Sequence, residues 1–418
     1  MNFTKLKQFK LKSLSHYLAA SLISTVIGLI INPFLALSLS HKDYAIIGYF
    51  ASFATILIPI FAFSFNSYYA RNYFLVDDQQ REKMLQTLLS VFLVFGLIMF
   101  IVFFVIYYYY HKKYISSIPF SPYALLSFLP LYFGSFYNIY LLDLRMQNKA
   151  KVYAFVTILN SILTAILSLL LIYVLKYGAE GRLVALLIVG ILFGVYSLKA
   201  EKFRFVLDKK IVKDAISFCW PLAISAVLTY FFMGIDRTFL AQLNDNYTLG
   251  LYNVAMQISG YLSIFGIVLF QAFGPDLYKY TSLNQHKRVL QIVLLLTFIP
   301  LIPNLLFIAL SKPLINLLTY GRYVDAVSFT NILCLKNVSY CFAFSLSDAV
   351  VGYGYAKYEL YNKIIGAFLS ILLYKYLIGN FGFYGAAYGQ TLSWVIMGLI
   401  SIVSLFYAHN KLKSKKID

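Results

Sequence analysis

The sequence predicts an all-α integral membrane protein with about twelve transmembrane helices in two six-helix bundles, related by a pseudo-twofold axis along the membrane normal. Three observations predict it. Of the 418 residues, 61% are hydrophobic and 12% charged, with a mean hydropathy of +0.76, far from soluble composition. Apolar runs long enough to cross a hydrocarbon core of about 30 Å recur along the whole chain. The chain also repeats itself at an offset of about 205 residues. Leu141-Leu142-Asp143 with Ala150-Lys151-Val152-Tyr153 is answered by Leu346-Ser347-Asp348 with Ala356-Lys357-Tyr358, and Gly178-Ala179-Glu180-Gly181 by Gly382-Phe383-Tyr384-Gly385.

In chain order the spans fall near 14–37, 44–68, 84–109, 121–142, 151–175 and 181–199, then 214–239, 247–274, 289–310, 325–349, 359–378 and 384–408. The first follows the basic start Lys5-Lys7-Lys10-Lys12 and is too long for a cleavable signal, so it reads as a signal-anchor helix. Asn32-Pro33, Pro59, Pro130 and Trp220-Pro221 are expected to interrupt helices at membrane depth, freeing carbonyls that the bundle must satisfy. Continuous apolar stretches without period-2 alternation argue against a barrel. Six spans per half make the repeats parallel. The expected division is therefore 1–199 for the first bundle, 200–213 for a basic linker, and 214–418 for the second bundle with its basic tail.

Lysine and arginine set the expected orientation. Alternate loops and the termini carry about 25 on one side and about 9 on the other. The linker (Lys199, Lys202, Arg204, Lys209, Lys210, Lys213) and the tail (Lys411, Lys413, Lys415, Lys416) share the rich side, which puts both termini in the cytoplasm of a bacterial inner membrane. Much of the net charge of +19 is then topological signal plus attraction to anionic headgroups. Basic residues spread over short loops form no nucleic-acid surface. The aromatic content of 18% suits interfacial belts. Cys219, Cys334 and Cys341 lie inside spans and read as small apolar residues.

Ionisable groups at membrane depth need a partner or a task. Lys336 lies roughly 18 Å into the tenth span at the rise of a helix, near the midplane. It is either a cation facing a polar cavity, placed for an anionic group such as a diphosphate, or one member of a structural ion pair. Asp236-Arg237, in the outer third of the seventh span, gates the outward mouth, or Asp236 carries a coupling proton, or the pair snorkels to the outer interface. Arg71 and Arg145, at inner ends of the second and fourth spans, meet a phosphate at the cytoplasmic entrance or simply follow the positive-inside bias. Asp143 and Asp348 escape that bias; they are gating or ion-coupling candidates, best read as landmarks of the repeat. Asn66, Asn253, Gln257 and Tyr252 are candidates to line a hydrated cavity, each with an equal packing explanation. No P-loop, HExxH or CxxC is present and the histidines lack metal spacing, so no metal, cofactor or enzymatic chemistry is expected.

The order of motifs over nearly the full length resembles the polysaccharide-transporter branch of the MATE-like MOP exporter superfamily, specifically Wzx-type O-antigen and capsule-repeat flippases. The resemblance is carried by Phe218-Cys219-Trp220-Pro221-Leu222, Ile235-Asp236-Arg237-Thr238-Phe239-Leu240 and Leu249-Gly250-Leu251-Tyr252-Asn253-Val254-Ala255. Lys42-Asp43-Tyr44-Ala45 is similar to the family's turn into the second span, with Ala45 replacing the usual glycine. Tyr177-Gly178-Ala179-Glu180-Gly181 is similar to the turn before the sixth. The resemblance implies a flippase for an undecaprenyl-diphosphate-linked oligosaccharide, working by ion-coupled alternating access among membrane lipids beside a polysaccharide polymerase and chain-length regulator. Lys336 would then neutralise the diphosphate. Three alternatives share parts of this pattern. Ion-coupled multidrug exporters generally carry a carboxylate in the first span, where 14–37 has none. Lipid II flippases have two further spans. O-antigen polymerases and ligases generally carry a large external loop, which is not found here.

Overall fold

A computed structural model describes residues 3–414, and side chains of 19–355 and 357–407. Lys415 and Lys416 of the basic tail lie outside the described residues. The chain is helical nearly throughout, with no strand among the described residues. The helices are α1 (Phe3–Ser38), α2 (His41–Ser52), α3 (Ala54–Ala62), α4 (Phe65–Asn72), α5 (Asp78–Tyr114), α6 (Tyr123–Met146), α7 (Ala150–Leu169), α8 (Gly178–Ala200) and α9 (Lys209–Leu228). They continue as α10 (Tyr230–Met233), α11 (Ile235–Ala241), α12 (Asn246–Tyr261), α13 (Ser263–Ser282), α14 (His286–Phe298), α15 (Leu301–Ala309), α16 (Ser311–Thr319), α17 (Val327–Gly352) and α18 (Ala356–Ser414).

Among the described residues, ten helical stretches are long and apolar enough to span a bilayer. The last, Lys357–Tyr407, is two passes. Gly382 takes φ 53°, and around it the chain doubles back: a Cβ on Gly385 would strike the Leu377 carbonyl and one on Gly389 the Tyr374 ring. Ser404 donates across the same hairpin to Asn362 Oδ1 at 2.6 Å. Gly382 is needed because an L-residue at that φ is strained. The remaining pass, α17, tenth in chain order, is diluted below that apolarity by its own polar groups, among them Lys336, Asn337, Ser339, Ser345 and Ser347, all buried.

The chain forms two compact units, Met1–Val227 and Leu228–Asp418. In the first, Tyr49, Phe50, Phe53, Tyr107 and Phe128 pack edge to face, an arrangement the ring quadrupoles favour. The Tyr107 hydroxyl donates to that of Tyr49 at 2.7 Å, so neither polar tip is buried alone. Gly194 and Gly190 bring α8 against Phe133 and Pro130 of α6, the close approach that small residues allow between membrane helices. In the second unit, Phe232, Ala343, Ala367, Trp394 and Met397 form one core, and Leu277, Val289, Ile292, Val293, Leu296, Leu346 and Ala349 another.

The turn motifs have a joint explanation. Asp43 and Ser40 form a capping box on α2, and the other Asp43 oxygen accepts the Ala179 amide at 3.0 Å. One carboxylate thus satisfies the first turns of two helices. Gly178, at φ 54°, leaves room for it, since a Cβ would sit 2.9 Å from Asp43 Oδ1.

The prolines do not act as expected. Pro33, Pro130 and Pro221 lie inside continuous helices, as membrane helices permit when neighbours satisfy the freed carbonyls. The breaks fall elsewhere. After Pro59, the chain stays helical to Ala62 and then takes the left-handed region at Phe63 and Ser64; the Ser64 carbonyl accepts the Cys219 thiol at 3.3 Å. In the second unit the break spans Thr229 to Gly234.

Candidate functional site

That second break places the charged site. α10 is a single turn and Gly234 follows at φ −131°, so α11 restarts with Asp236 and Arg237 turned into the unit's interior. Asp236 is fully buried and Arg237 is 8% exposed. The Asp236 Oδ2 accepts from the Tyr252 hydroxyl at 2.5 Å and from Gln390 Nε2 at 3.0 Å. Its Oδ1 lies 3.8 Å from Arg237 Nη1 and accepts no hydrogen bond among the described residues. Arg237 instead donates from Nε to Asn253 Oδ1 at 3.0 Å and from Nη1 to the Met233 carbonyl at 3.1 Å, a carbonyl freed by the break.

Lys336 joins them from α17. It is 6% exposed and within electrostatic reach of both Arg237 and Asp236. No hydrogen bond to it is made among the described residues. Two cations and one carboxylate give the neighbourhood a net charge of +1. A buried charge costs several kcal/mol unless paired, and one carboxylate cannot pair fully with both cations. Such a site attracts a further anion. Gln390 Oε1 and Asn253 Nδ2 are buried beside it without hydrogen-bond partners, leaving polar capacity unused.

Tyr252 and Asn253, candidates from the sequence, therefore meet Asp236, Arg237 and Lys336 in one place. The others lie apart. Arg71 is exposed with its guanidinium 4.6 Å from the Phe218 ring centre, and Arg145 is exposed 5.8 Å from that of Tyr153, both weak cation–π contacts. Asn66 is half-buried with its Oδ1 unpaired, and Gln257 donates to the Tyr261 hydroxyl at 3.2 Å.

The repeated aspartates each hold a tyrosine. Tyr69 donates to Asp143 Oδ1 at 2.5 Å; Tyr278 donates to Asp348 Oδ1 at 3.3 Å. Gln147 also donates to Asp143 Oδ2. A second carboxyl stands beside each: Glu201 by Asp143 and Glu359 by Asp348, the latter with Lys363. Sequence reasoning missed Gln390, Glu201, Glu359 and Lys363. The rule that singled out Lys336 also applies to Glu359 and Lys363 inside the eleventh span. Gln390 carried no signal. Among the described residues no group of three or more His, Cys, Asp or Glu is placed to hold a metal.

Solved structures share this fold of membrane helices. The lipid II flippase MurJ in an inward closed conformation aligns over 93% of this chain and 86% of its own, with a TM-score of 0.70 at 16% identity. An inward-facing multidrug resistance MATE family transporter aligns over 94% and 95%, with a TM-score of 0.65 at 16% identity. The MATE transporter VcmN of Vibrio cholerae aligns over 98% of both chains, with a TM-score of 0.62 at 12% identity.

Sequence relatives are more distant in coverage. An uncharacterized membrane protein of Methanocaldococcus jannaschii is 23% identical over 58% of this chain, which spans 62% of that protein's length. A protein of the Lsg locus of Haemophilus influenzae is 23% identical over 66% of this chain and 67% of its own. The model of the polysaccharide biosynthesis protein family matches residues 11–281, more than half of the chain. The chain belongs to that family, as its Wzx-like motifs imply. It is a multi-pass membrane protein by its long apolar helices.

Proposed function

We propose that the protein flips an undecaprenyl-diphosphate-linked oligosaccharide, an O-antigen or capsule repeat unit, from the cytoplasmic to the periplasmic leaflet of a bacterial inner membrane by ion-coupled alternating access. The observation that carries this reading is the net-positive site of Asp236, Arg237 and Lys336, buried at membrane depth in a chain of the polysaccharide biosynthesis family. A diphosphate leaving water is prohibitively costly without compensating charge, and Lys336 supplies it. Likeness to the lipid II flippase MurJ supports a lipid-linked cargo; the charge pattern of the loops supports cytoplasmic termini. A polymerase and a chain-length regulator would act on the product.

The test is genetic and chemical together. Deleting the gene is expected to remove surface polysaccharide and to leave the lipid-linked repeat unit on the cytoplasmic leaflet, where a periplasmic glycosidase cannot reach it. Repeat units that stay accessible from the periplasm without this protein would reject the proposal. The fold is shared with multidrug transporters, so drug efflux with normal polysaccharide would install that reading instead. A reporter fused at residues 200–213 is expected to report from the cytoplasm.

A further inference from the structure

The connection leaving α8 is tied down along its whole length. Gln86, on α5, donates from Nε2 to the Glu201 carbonyl at 2.9 Å and accepts the Arg204 amide at Oε1 at 2.8 Å. One turn further, Ser90 accepts the Val206 amide at 3.0 Å. At the far end Lys83 reaches Asp208 Oδ2 at 2.5 Å, while Asp208 Oδ1 accepts the Lys210 and Ile211 amides and so caps α9. Residues 203–208 have no regular structure, yet side chains of α5 hold them as a strap.

The strap begins at Glu201, whose carboxyl meets that of Asp143 at the end of α6. Asp143 is 2% exposed, its two oxygens already taken up by Tyr69 and Gln147. Other titratable groups facing the pair are Tyr73, Tyr140 and Tyr196, with Lys149 as the cation, itself exposed. With Asp143 buried and Glu201 half-buried, ionising both adjoining carboxyls is disfavoured when the cation beside them, Lys149, is screened by solvent.

We infer that Asp143 and Glu201 form a proton-binding site, and that the shared proton fixes the strap 201–208 to the first unit. In support, burial and the Asp143 charge push the Glu201 carboxyl up to about 8. The sign follows from linkage. A carboxyl raised in the folded state favours that state below its ordinary 4.5, and the advantage is lost as pH rises through about 8. Deprotonation leaves two like charges in contact, and the carboxyl that gives way is Glu201, carried on the strap. Gln86 and Ser90 carry no titratable group, and the Lys83 contact holds the Asp208 carboxyl below its ordinary range, so loosening starts at the Glu201 end.

Amide hydrogen exchange of the full-length protein in nanodiscs, corrected for the intrinsic pH dependence of exchange, reads the strap directly. Protection of the Arg204 and Val206 amides is expected to fall by about tenfold per pH unit between 6 and 8. Glu201→Gln keeps a hydrogen bond to Asp143 and cannot ionise, so its protection is expected to stay flat. Asp143→Asn should do the same, and serves if the first variant is poorly folded. Gln86→Ala should weaken protection at every pH. A flat wild-type profile, or an unchanged slope in both carboxyl variants, would overturn the inference. The measurement uses no substrate, so its failure leaves the flippase reading untouched.

Discussion

Asp143 in the first unit and Asp348 in the second come from the same position of a duplicated sequence, each accepts a tyrosine hydroxyl, and each has a glutamate beside it. They differ in what balances the second carboxyl. Beside Asp348 and Glu359 stands Lys363, within the same packing. Beside Asp143 and Glu201 the cation is Lys149, out in solvent. The same repeat thus yields a charge-compensated cluster in one unit and a carboxyl pair needing a proton in the other. Duplication fixes geometry, and later substitutions decide chemistry. The membrane interior repeats the lesson: Lys336 of α17 joins Asp236 and Arg237, while the first-unit position nearest its equivalent, Leu131, is apolar.

The sharpest way to break this comparison is Lys336→Ala against Leu131→Ala. The first is expected to lower surface polysaccharide by roughly two orders of magnitude, the consequence of removing an interaction worth about 3 kcal/mol, with membrane abundance unchanged on immunoblots. The second should stay within about twofold. Equal losses would mean that Lys336 has no special part in export.

Next in size is the carboxylate. Asp236→Ala leaves Arg237 and Lys336 buried without compensation and is expected to destabilise the second unit by about 3–5 kcal/mol. Asp348→Ala, at a half-buried site with Glu359 still available to Lys363, should cost about 1 kcal/mol. Thermal unfolding in detergent measures both, and the reverse ranking would refute the assignment of the main buried pair.

A smaller difference separates the tyrosines. Tyr69→Phe removes a 2.5 Å bond to a buried carboxylate and is expected to cost about 2 kcal/mol, whereas Tyr278→Phe removes a 3.3 Å one and should cost under about 1 kcal/mol. The gentlest contrast is pH. Unfolding of the wild-type protein should occur at lower temperature at pH 8 than at pH 6, because Glu201 loses its proton across that range, and Glu201→Gln should narrow the gap. A gap of the same size in the variant would show that other groups set it.

Much of this was legible in the residues. Twelve passes, the duplication and the Asp43 and Gly178 turns follow from local rules: length of apolar run, offset of motifs, and the need of glycine where φ is positive. Depth was legible too, which is how Lys336 stood out. Neighbours were not. Helical periodicity says how deep a side chain lies, but its partners depend on which helix packs beside it, and Gln390 meets Asp236 across 154 positions of chain. The prolines show the same limit: Pro33, Pro130 and Pro221 carry a local tendency to break helices that the surrounding packing overrides, while the actual breaks at Phe63-Ser64 and at Thr229 to Gly234 carry no comparable signal.

By itself the sequence determined a duplicated bundle of membrane helices with few, costly charges. Only tertiary structure decided which of those charges meet. It gathered Asp236, Arg237 and Lys336 into one site and gave Asp143 a carboxyl neighbour without a buried cation. The reason is physical: hydrophobic pattern and backbone geometry act along the chain, whereas Coulomb and hydrogen-bond energies depend on distances that exist only once the helices pack.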